Sequence, residues 1–298
     1  MFKVFAIVVS YNGMQWYDRC LSSLQESEAP VQILVIDNAS TDGSSHYIKQ
    51  HFHDVILIDN KENLGFAKAN NIGIRYAIDH GADYVFLLNQ DAWVEKSTLT
   101  ELLKSFEENE NVGIASPVHL NGDYTALDHG FVNYMGGDFT SDAFFHRIKT
   151  YYERPFLNAA AWLIKRSCLE TVGGFDTLLF CHYGEDDNYC QRVLYHGFKI
   201  VVCTRCTICH DRENRKEGDY KYQTISRRTS FLSDRIEFGN INCEFNLERK
   251  IKNMKLKMRK NLILCRFKSA KVIRDKVFVF SLIEQSRRIN KLVGKTWL

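Results

Sequence analysis

Short apolar runs that stop on polar residues recur along the first third of the chain, and between them apolar residues return at helical spacing. Phe2 to Val9 ends at Ser10-Tyr11-Asn12-Gly13, and Ile33-Leu34-Val35-Ile36 runs into Asp37-Asn38-Ala39-Ser40-Thr41-Asp42-Gly43-Ser44. Val55 to Ile58 is a third run, and Tyr84 to Leu88 ends at Asn89-Gln90-Asp91. Runs of this length, rich in β-branched residues, read as buried strands. Trp16, Cys20, Leu21 and Leu24 fit a helix after the first of them; Ala69, Ile72, Ile74, Ala77 and Ile78 fit another, opened by Asn63-Leu64-Gly65-Phe66-Ala67. Residues 37–44 are a turn-rich loop that caps a further helix. Strand-helix units in series predict an α/β fold, a mostly parallel sheet flanked by helices.

Ligands of such sheets lie at the carboxyl ends of the strands. Asp91 is therefore expected to face a cleft. With Asn89 it offers hard oxygen ligands suited to Mg²⁺ or Mn²⁺ holding a diphosphate, although a helix cap would use the same residues. Asp37 can accept from a pyrimidine N–H or close an Asx-turn. No G-x-G-x-x-G follows the first strand and no Walker sequence is present, so side chains would have to hold a nucleotide.

Further along, Asn111 to Val118 reads as a strand, whereas Asp123 to Tyr152 has no clear period and fits a functional loop or an antiparallel insertion. Ala159 to Ile164 is another strand, with small residues where backbone can approach a ligand closely. Trp162 on it can stack on a ligand ring or fill the core. Glu185-Asp186-Asp187 precede Tyr189, Cys190, Val193 and Leu194, which places three acids in the first turn of a helix. The helix dipole is expected to keep Asp186 ionised, as a general base requires; three acids that only cap a helix are the alternative. Cys206-Thr207-Ile208-Cys209-His210 matches a haem-attachment pattern, but haem loading needs export, and no second Cys pair completes a zinc or iron–sulfur set. The reading adopted is a strand from Lys199 to Cys203 and a loop that carries His210 to the cleft.

Composition adds two constraints. A chain of 298 residues with 45% hydrophobic content can bury a full core, and its nine cysteines fit reduced core residues. No apolar run reaches the roughly 18 residues of a membrane span, and Val4 to Val9 is too short for a signal-peptide core, so a cytoplasmic location is expected. The net charge of +3 conceals polarity: from Asn246 onward there are 16 Lys and Arg against 3 Asp and Glu, so the residues before it carry −10. Helices are predicted over Tyr222 to Phe238, Leu247 to Lys268 and Lys271 to Lys291, with Ile251, Met254, Met258, Leu262 and Cys265 along one side. This divides the chain into a catalytic domain, 1–215, and a basic helical extension, 216–298. A basic helix with an apolar stripe suits an anionic membrane surface, here the inner face of the plasma membrane, or docks on a partner or on the catalytic domain. Nucleic acid is not an expected partner, because aromatic residues are sparse in the basic run.

The motifs at residues 8–12, 37–44, 63–71 and 87–91, followed by Gly173-Gly174-Phe175-Asp176 and Tyr183-Gly184-Glu185-Asp186-Asp187, together resemble the successive motifs of family 2 glycosyltransferases. The likeness spans about residues 3 to 240 and is strongest to the rhamnosyltransferase-like branch that builds bacterial surface polysaccharides. It implies the GT-A fold, a nucleotide-sugar donor, dTDP-rhamnose by likeness or else a UDP-sugar, a glycan or lipid-linked glycan acceptor, a divalent cation and inversion at the anomeric carbon. It further implies that Tyr11, Asn12, Asp37 and Asn38 meet the donor base and ribose, and that Asn63, Gly65 and Lys68 lie by the nucleotide. Asn89 and Gln90 would stand on the donor side of Asp91, the metal carboxylate, with Asn89 replacing the first acid of the family's Asp-x-Asp motif. Asp186 would be the base, Glu185 and Arg192 would shape the acceptor side, and His210 would touch the metal or diphosphate. Two other classes compete: a nucleotidyltransferase that makes the nucleotide-sugar, which lacks its Gly-rich loop here, and a non-catalytic protein on the same fold.

Overall fold

The computed structural model describes residues 2–214 and 231–298. In chain order the elements are β1 (Val4–Ser10), α1 (Tyr17–Gln25), β2 (Val31–Asp37), α2 (Ser44–His51), β3 (Ile56–Asp59), α3 (Gly65–Asp79), β4 (Tyr84–Asn89) and β5 (Ala92–Val94). Next come α4 (Thr98–Glu108), β6 (Val112–Leu120), α5 (His129–Phe144), β7 (Tyr151–Glu153), β8 (Ala161–Lys165), α6 (Arg166–Val172), α7 (Glu185–Tyr195) and β9 (Lys199–His210). The last three are α8 (Leu232–Gly239), α9 (Leu247–Ile263) and α10 (Phe267–Asn290).

The strands form one mixed sheet in the order β3-β2-β1-β4-β8-β6-β9-β5, with β7 also on β9. β1 to β4 are parallel to one another, as are β6 and β9, while β8 runs antiparallel between β4 and β6. Alternate residues of each strand enter opposite cores, as a two-residue period requires. Phe5, Ile7, Val85, Leu87, Trp162 and Ile164 pack with α3, α6 and α7, and Val4, Ala6, Val8, Phe86, Leu88 and Leu163 with α1 and α4. Because β8 separates two parallel groups that point the same way, the carboxyl ends of β1, β2, β3, β4, β6 and β9 share one edge with the amino end of β8. That edge positions the site.

Two segments differ from what the pattern predicts. The aperiodic stretch holds α5, broken at Gly136 (φ 78°, ψ 168°), a backbone that glycine adopts without strain. The break rotates one half of the helix against the other, and no single apolar face runs through it. β9 does not end at Cys203. Its register against β6 slips between Pro117 and Val118, so that Cys203 pairs with Pro117 and Thr207 with Val118. A proline cannot donate to the ladder at that point. Pairing resumes beyond the slip, and His210 stands in the strand, opposite Ala92, rather than on a loop.

Of the predicted tail helix over 222–238, residues 222–230 lie outside the described residues, and α8 begins at Leu232. α9 and α10 form a helical hairpin. The stripe foreseen on α9 faces inward only at its start: Ile251, with Leu247 before it, is buried with Val279, Phe280 and Ile283 of α10 and with Leu179 and Phe180, and Met254 packs beside them, whereas Leu262 and Cys265 at its far end are exposed. Asp176 fastens α10 to the sheet domain. It accepts hydrogen bonds from Ser286 Oγ, from Asn290 Nδ2 at 3.0 Å, and from the Leu178 and Leu179 amides at 2.9 and 3.0 Å. The chain end adds a latch, in which Gly174 N donates to Thr296 O at 2.8 Å and Asn71 Nδ2 to Trp297 O at 3.1 Å. Gly173 (φ 82°) packs so closely on Thr296 that any Cβ there would collide with it. None of the described helices is long and apolar enough to cross a membrane.

Candidate active site

The four parallel strands β1 to β4 end level, with Ser10 opposite Asp37, Asp37 opposite Asp59, and Val9 opposite Asn89. Asp37 is buried and caps the loop that follows it: Oδ2 accepts from Ser40 N, three residues on, at 2.9 Å and Oδ1 from Ser40 Oγ at 2.6 Å and Ser10 Oγ at 3.1 Å. Asn38 is buried as well, receiving Asn60 Nδ2 at 2.9 Å and Leu64 N at 3.3 Å and donating to Gly65 O. Its amide therefore ties the β2 loop to the start of α3. Asn12 accepts from Thr41 N at 2.8 Å, and Asn63 from Gly65 N at 2.9 Å. Gln90 joins the ends of β4 and β1 by accepting from Tyr11 N at 2.9 Å and donating to Tyr11 O at 3.1 Å. The sequence signal at these positions is thus a loop framework, over which the exposed Tyr11 ring is the open surface. Lys68 is exposed on the side of α3 turned from the sheet, along a groove with Ile72, Arg75 and Trp297.

Asp91 begins the second group. It is 3% exposed, and its Oδ1 lies 3.5 Å from Nε2 of His210, which is equally buried. Asn89 Nδ2 lies 3.3 Å from the same ring nitrogen. Two residues at the ends of β4 and β9, 119 apart in sequence, thereby present one oxygen and one nitrogen side by side. Cis ligands of a small divalent cation stand roughly 3 Å apart. The pair fits, and among the described residues no further His, Cys, Asp or Glu completes a cage, which suits a cation whose other positions take substrate oxygens and water. Ligation through Nε2 requires the proton on Nδ1, which faces Asp128 Oδ2 at 3.6 Å. Arg212 Nε lies 2.9 Å from that carboxylate and donates to Nδ1 at 3.2 Å, so Nδ1 is the acceptor in this arrangement; a metal on Nε2 requires Arg212 to bond Asp128 alone and Nδ1–H to turn to the carboxylate. Asp128 and Arg212 escaped the sequence reading, because the first sits in the aperiodic stretch and the second follows the cysteine-rich strand.

The third group is Glu185, Asp186 and Asp187 in the first turn of α7, whose N-cap Gly184 is left-handed (φ 84°). Asn89 N donates to Ala160 O at 2.9 Å, and the neighbouring Ala159 amide helps hold the Asp186 carboxylate, as does the Arg212 charge. The Ala159-Ala160 corner therefore separates the end of β4 from the acids of α7. The helix dipole, expected to keep Asp186 ionised, is opposed here by burial. Burial raises Asp186 from its ordinary value, against the backbone amides and the Arg212 charge that lower it. Glu185, 7% exposed and beside Asp186, is pushed up to about 8, chiefly by burial, and Asp187 to about 6 for the same reason. Asp186 stays half-buried, whereas Glu185 stands behind it with Oε2 unpartnered.

Stability should register these shifts. Below about pH 4.5 Glu185 is protonated in both folded and unfolded chains; between there and about 8 only the unfolded chain releases the proton. Folding then takes up a proton, and stability falls as pH rises, by up to about 1.4 kcal/mol per unit. Urea unfolding at several pH values should show this decline, and Glu185→Gln should flatten it.

Two expected acceptor residues are not in the cleft. Trp162 is fully buried, its ring 6.2 Å from Phe175 and 5.8 Å from Tyr189, because the alternation of β8 turns it into the core. Arg192, also fully buried, donates to Gly174 O at 2.6 Å, to Val172 O, and to Thr296 Oγ1 at 3.2 Å. One turn and more along α7 from the acids, it points at the chain-end latch instead of an acceptor.

A family model, Glycosyl transferase family 2, matches residues 5–173. The chain belongs to this family. The match covers the strand ends and Asp91 and stops short of the α7 acids. The chain is 25% identical over 212 residues to a dTDP-rhamnosyl transferase, RfbF, of Shigella flexneri, covering 70% of this chain and 69% of that protein. It is 26% identical over 257 residues to an N-acetylglucosaminyl-diphospho-decaprenol L-rhamnosyltransferase of Mycobacterium tuberculosis, covering 77% of this chain and 83% of the relative. The solved mannosyltransferase PcManGT from Pyrobaculum calidifontis, in complex with GDP-Man and Mn²⁺, shares the fold: TM-score 0.54, 16% identity, 97% of this chain and 73% of that one. The family 2 glycosyltransferase thus has the GT-A architecture that its sequence implies.

Proposed function

We propose that this glycosyltransferase moves rhamnose from dTDP-rhamnose to a hydroxyl of a lipid-linked glycan, with inversion, in the synthesis of a bacterial surface polysaccharide. The names of the rhamnosyltransferase relatives support this donor and acceptor. The observation that carries the reading is the single sheet edge on which Asp91 and His210 meet, with Asp186 across the Ala159-Ala160 corner. In the proposed division of labour, residues 1–215 carry catalysis, and the extension 216–298, of which α8 braces α7, faces an anionic membrane surface.

In this reading the exposed Tyr11 ring stacks on the base, and the Asp37 and Asn38 loop backs it. Asp91 and His210 would hold Mg²⁺ or Mn²⁺, which when bound supplies positive charge to the leaving diphosphate. The Asp186 carboxylate takes the hydroxyl proton as the acceptor oxygen attacks the anomeric carbon from the face opposite the breaking bond. A base whose proton affinity is raised by burial works closer to neutral pH than an ordinary Asp. Incubation with dTDP-rhamnose and an acceptor should release dTDP and, followed by NMR, invert the anomeric configuration. Release of pyrophosphate with a nucleoside triphosphate would instead identify a nucleotidyltransferase, and no turnover of any nucleotide-sugar would leave a non-catalytic binding protein.

A further inference from the structure

The α9–α10 hairpin is buried only at its base. Beyond Ile251 and before Val279, Asn261 and Ala270 alone are buried, and all eight residues from Leu262 to Ser269 are exposed. Four of those eight are large and apolar, with Ile263 81% and Phe267 65% exposed and Leu262 and Leu264 about half so. From Ile251 to the turn, α9 projects by roughly 20 Å at 1.5 Å per residue. Ten Lys and Arg lie between Lys252 and Lys276 against the single acid Asp275. Two of the ten are matched, Arg274 by Asp275 and Lys276 by Asp234; the other eight make no ion pair among the described residues.

We infer that the turn of this hairpin, Leu262-Ile263-Leu264 and Phe267, inserts into the interfacial layer of an anionic lipid bilayer, with the cations behind it on the headgroups. The reasoning is one of charge and shape. Water-exposed apolar side chains at the end of a projection are stabilised by entering an apolar phase, and contiguous exposed apolar groups mark such sites. Cations on both helices surround that tip, and a negative planar surface complements all of them together, each Lys or Arg contributing about a five-fold gain in binding. The start of the α9 stripe, Ile251 and Met254, is thereby distinguished from its far end: the former holds the hairpin together, and Leu262 with the rest of the turn makes the contact. The inference rests on the lipid-linked acceptor proposed above. The other end of the hairpin packs, through Leu179 and Phe180 and through α8, on the segment that leads into the acids of α7. Arg235 of α8 donates to Leu179 O, and Gln191 of α7 to Ile236 O at 3.4 Å. Docking by the turn would hold the cleft at a fixed height over the lipid surface.

Flotation of the full chain with phosphatidylcholine vesicles, with and without phosphatidylglycerol, tests this. The wild type should float only with phosphatidylglycerol, and less as salt rises. A variant with Leu262, Ile263, Leu264 and Phe267 all changed to Ser should bind roughly 50-fold more weakly, with an unchanged melting temperature because these residues are exposed. Charge reversal at Arg266, Lys268 and Lys271 should cost roughly 100-fold or more. Equal flotation of the Ser variant and wild type overturns the proposal, as does wild-type binding that ignores phosphatidylglycerol. So does vesicle-free self-association that the Ser variant abolishes, which would make a second copy the occupant. Donor turnover is read separately: turnover without flotation defeats only the docking inference, and flotation without turnover defeats only the reading of the site.

Discussion

Asp186→Asn should lower kcat for sugar transfer by roughly 10²- to 10⁴-fold, the range that general-base removal spans. The amide is isosteric and keeps an oxygen to accept from Asp187 N, a 3.0 Å bond in the native chain. Folding should therefore survive. Stability should rise slightly, because a carboxylate whose ionisation is opposed by burial is replaced by a neutral group. Donor affinity, measured by calorimetry with the nucleoside diphosphate and Mn²⁺, should stay within a few-fold of wild type, since the strand ends and Asp91 are untouched. Glu185→Gln is the control. With its proton held to about pH 8, Glu185 is already neutral at pH 7, and the amide should cost little activity there. Should Asp186→Asn retain a tenth of the wild-type kcat, the base lies elsewhere.

The parallel half of the sheet was legible because its strands announce themselves twice, by β-branched runs and by polar residues where they stop. Val4–Ser10, Val31–Asp37 and Tyr84–Asn89 are strands for the reason that their apolar residues fill two cores on alternate sides. The same logic explains the strand ends that face the cleft, since a polar residue is tolerated there only where the core finishes. Pairing, however, is non-local. Nothing around Lys199 to His210 states that Pro117 lies alongside, so the slip that carries His210 into β9 could not be read from the strand itself. Trp162 and Arg192 fail for a related reason. Each is a residue type common in binding sites, and only the tertiary register decides that one faces Phe175 and the other the carbonyls of Val172 and Gly174. The dipole argument for Asp186 was sound locally; it omitted the desolvation that packing α7 against the Ala159-Ala160 corner imposes.

Arg192→Ala should destabilise the fold by roughly 3 to 5 kcal/mol, without acting on the acceptor directly. The side chain is among the largest that are fully buried, and among the described residues it makes no ion pair with a carboxylate, Asp176 acting on it only at longer range; its charge is held by backbone carbonyls and Thr296 Oγ1. Burial lowers its pKa, although a guanidinium remains charged at neutral pH. Removing it leaves a cavity between α7 and α6 and takes the donor from Gly174 O, while Val172 O keeps only Thr296 Oγ1 at 3.1 Å. Arg192→Lys should not restore stability, because one ammonium cannot span the positions that two arms of the guanidinium reach. The latch on Gly173, Gly174 and Asn71 should loosen, and with it the docking of α10 through Asp176. Thermal unfolding should register a fall of roughly 10 °C. Kinetics separate this role from the acceptor-shaping one: at a temperature where the variant is still folded, the KM for acceptor should match wild type. A raised acceptor KM with an unchanged melting temperature would return Arg192 to the cleft.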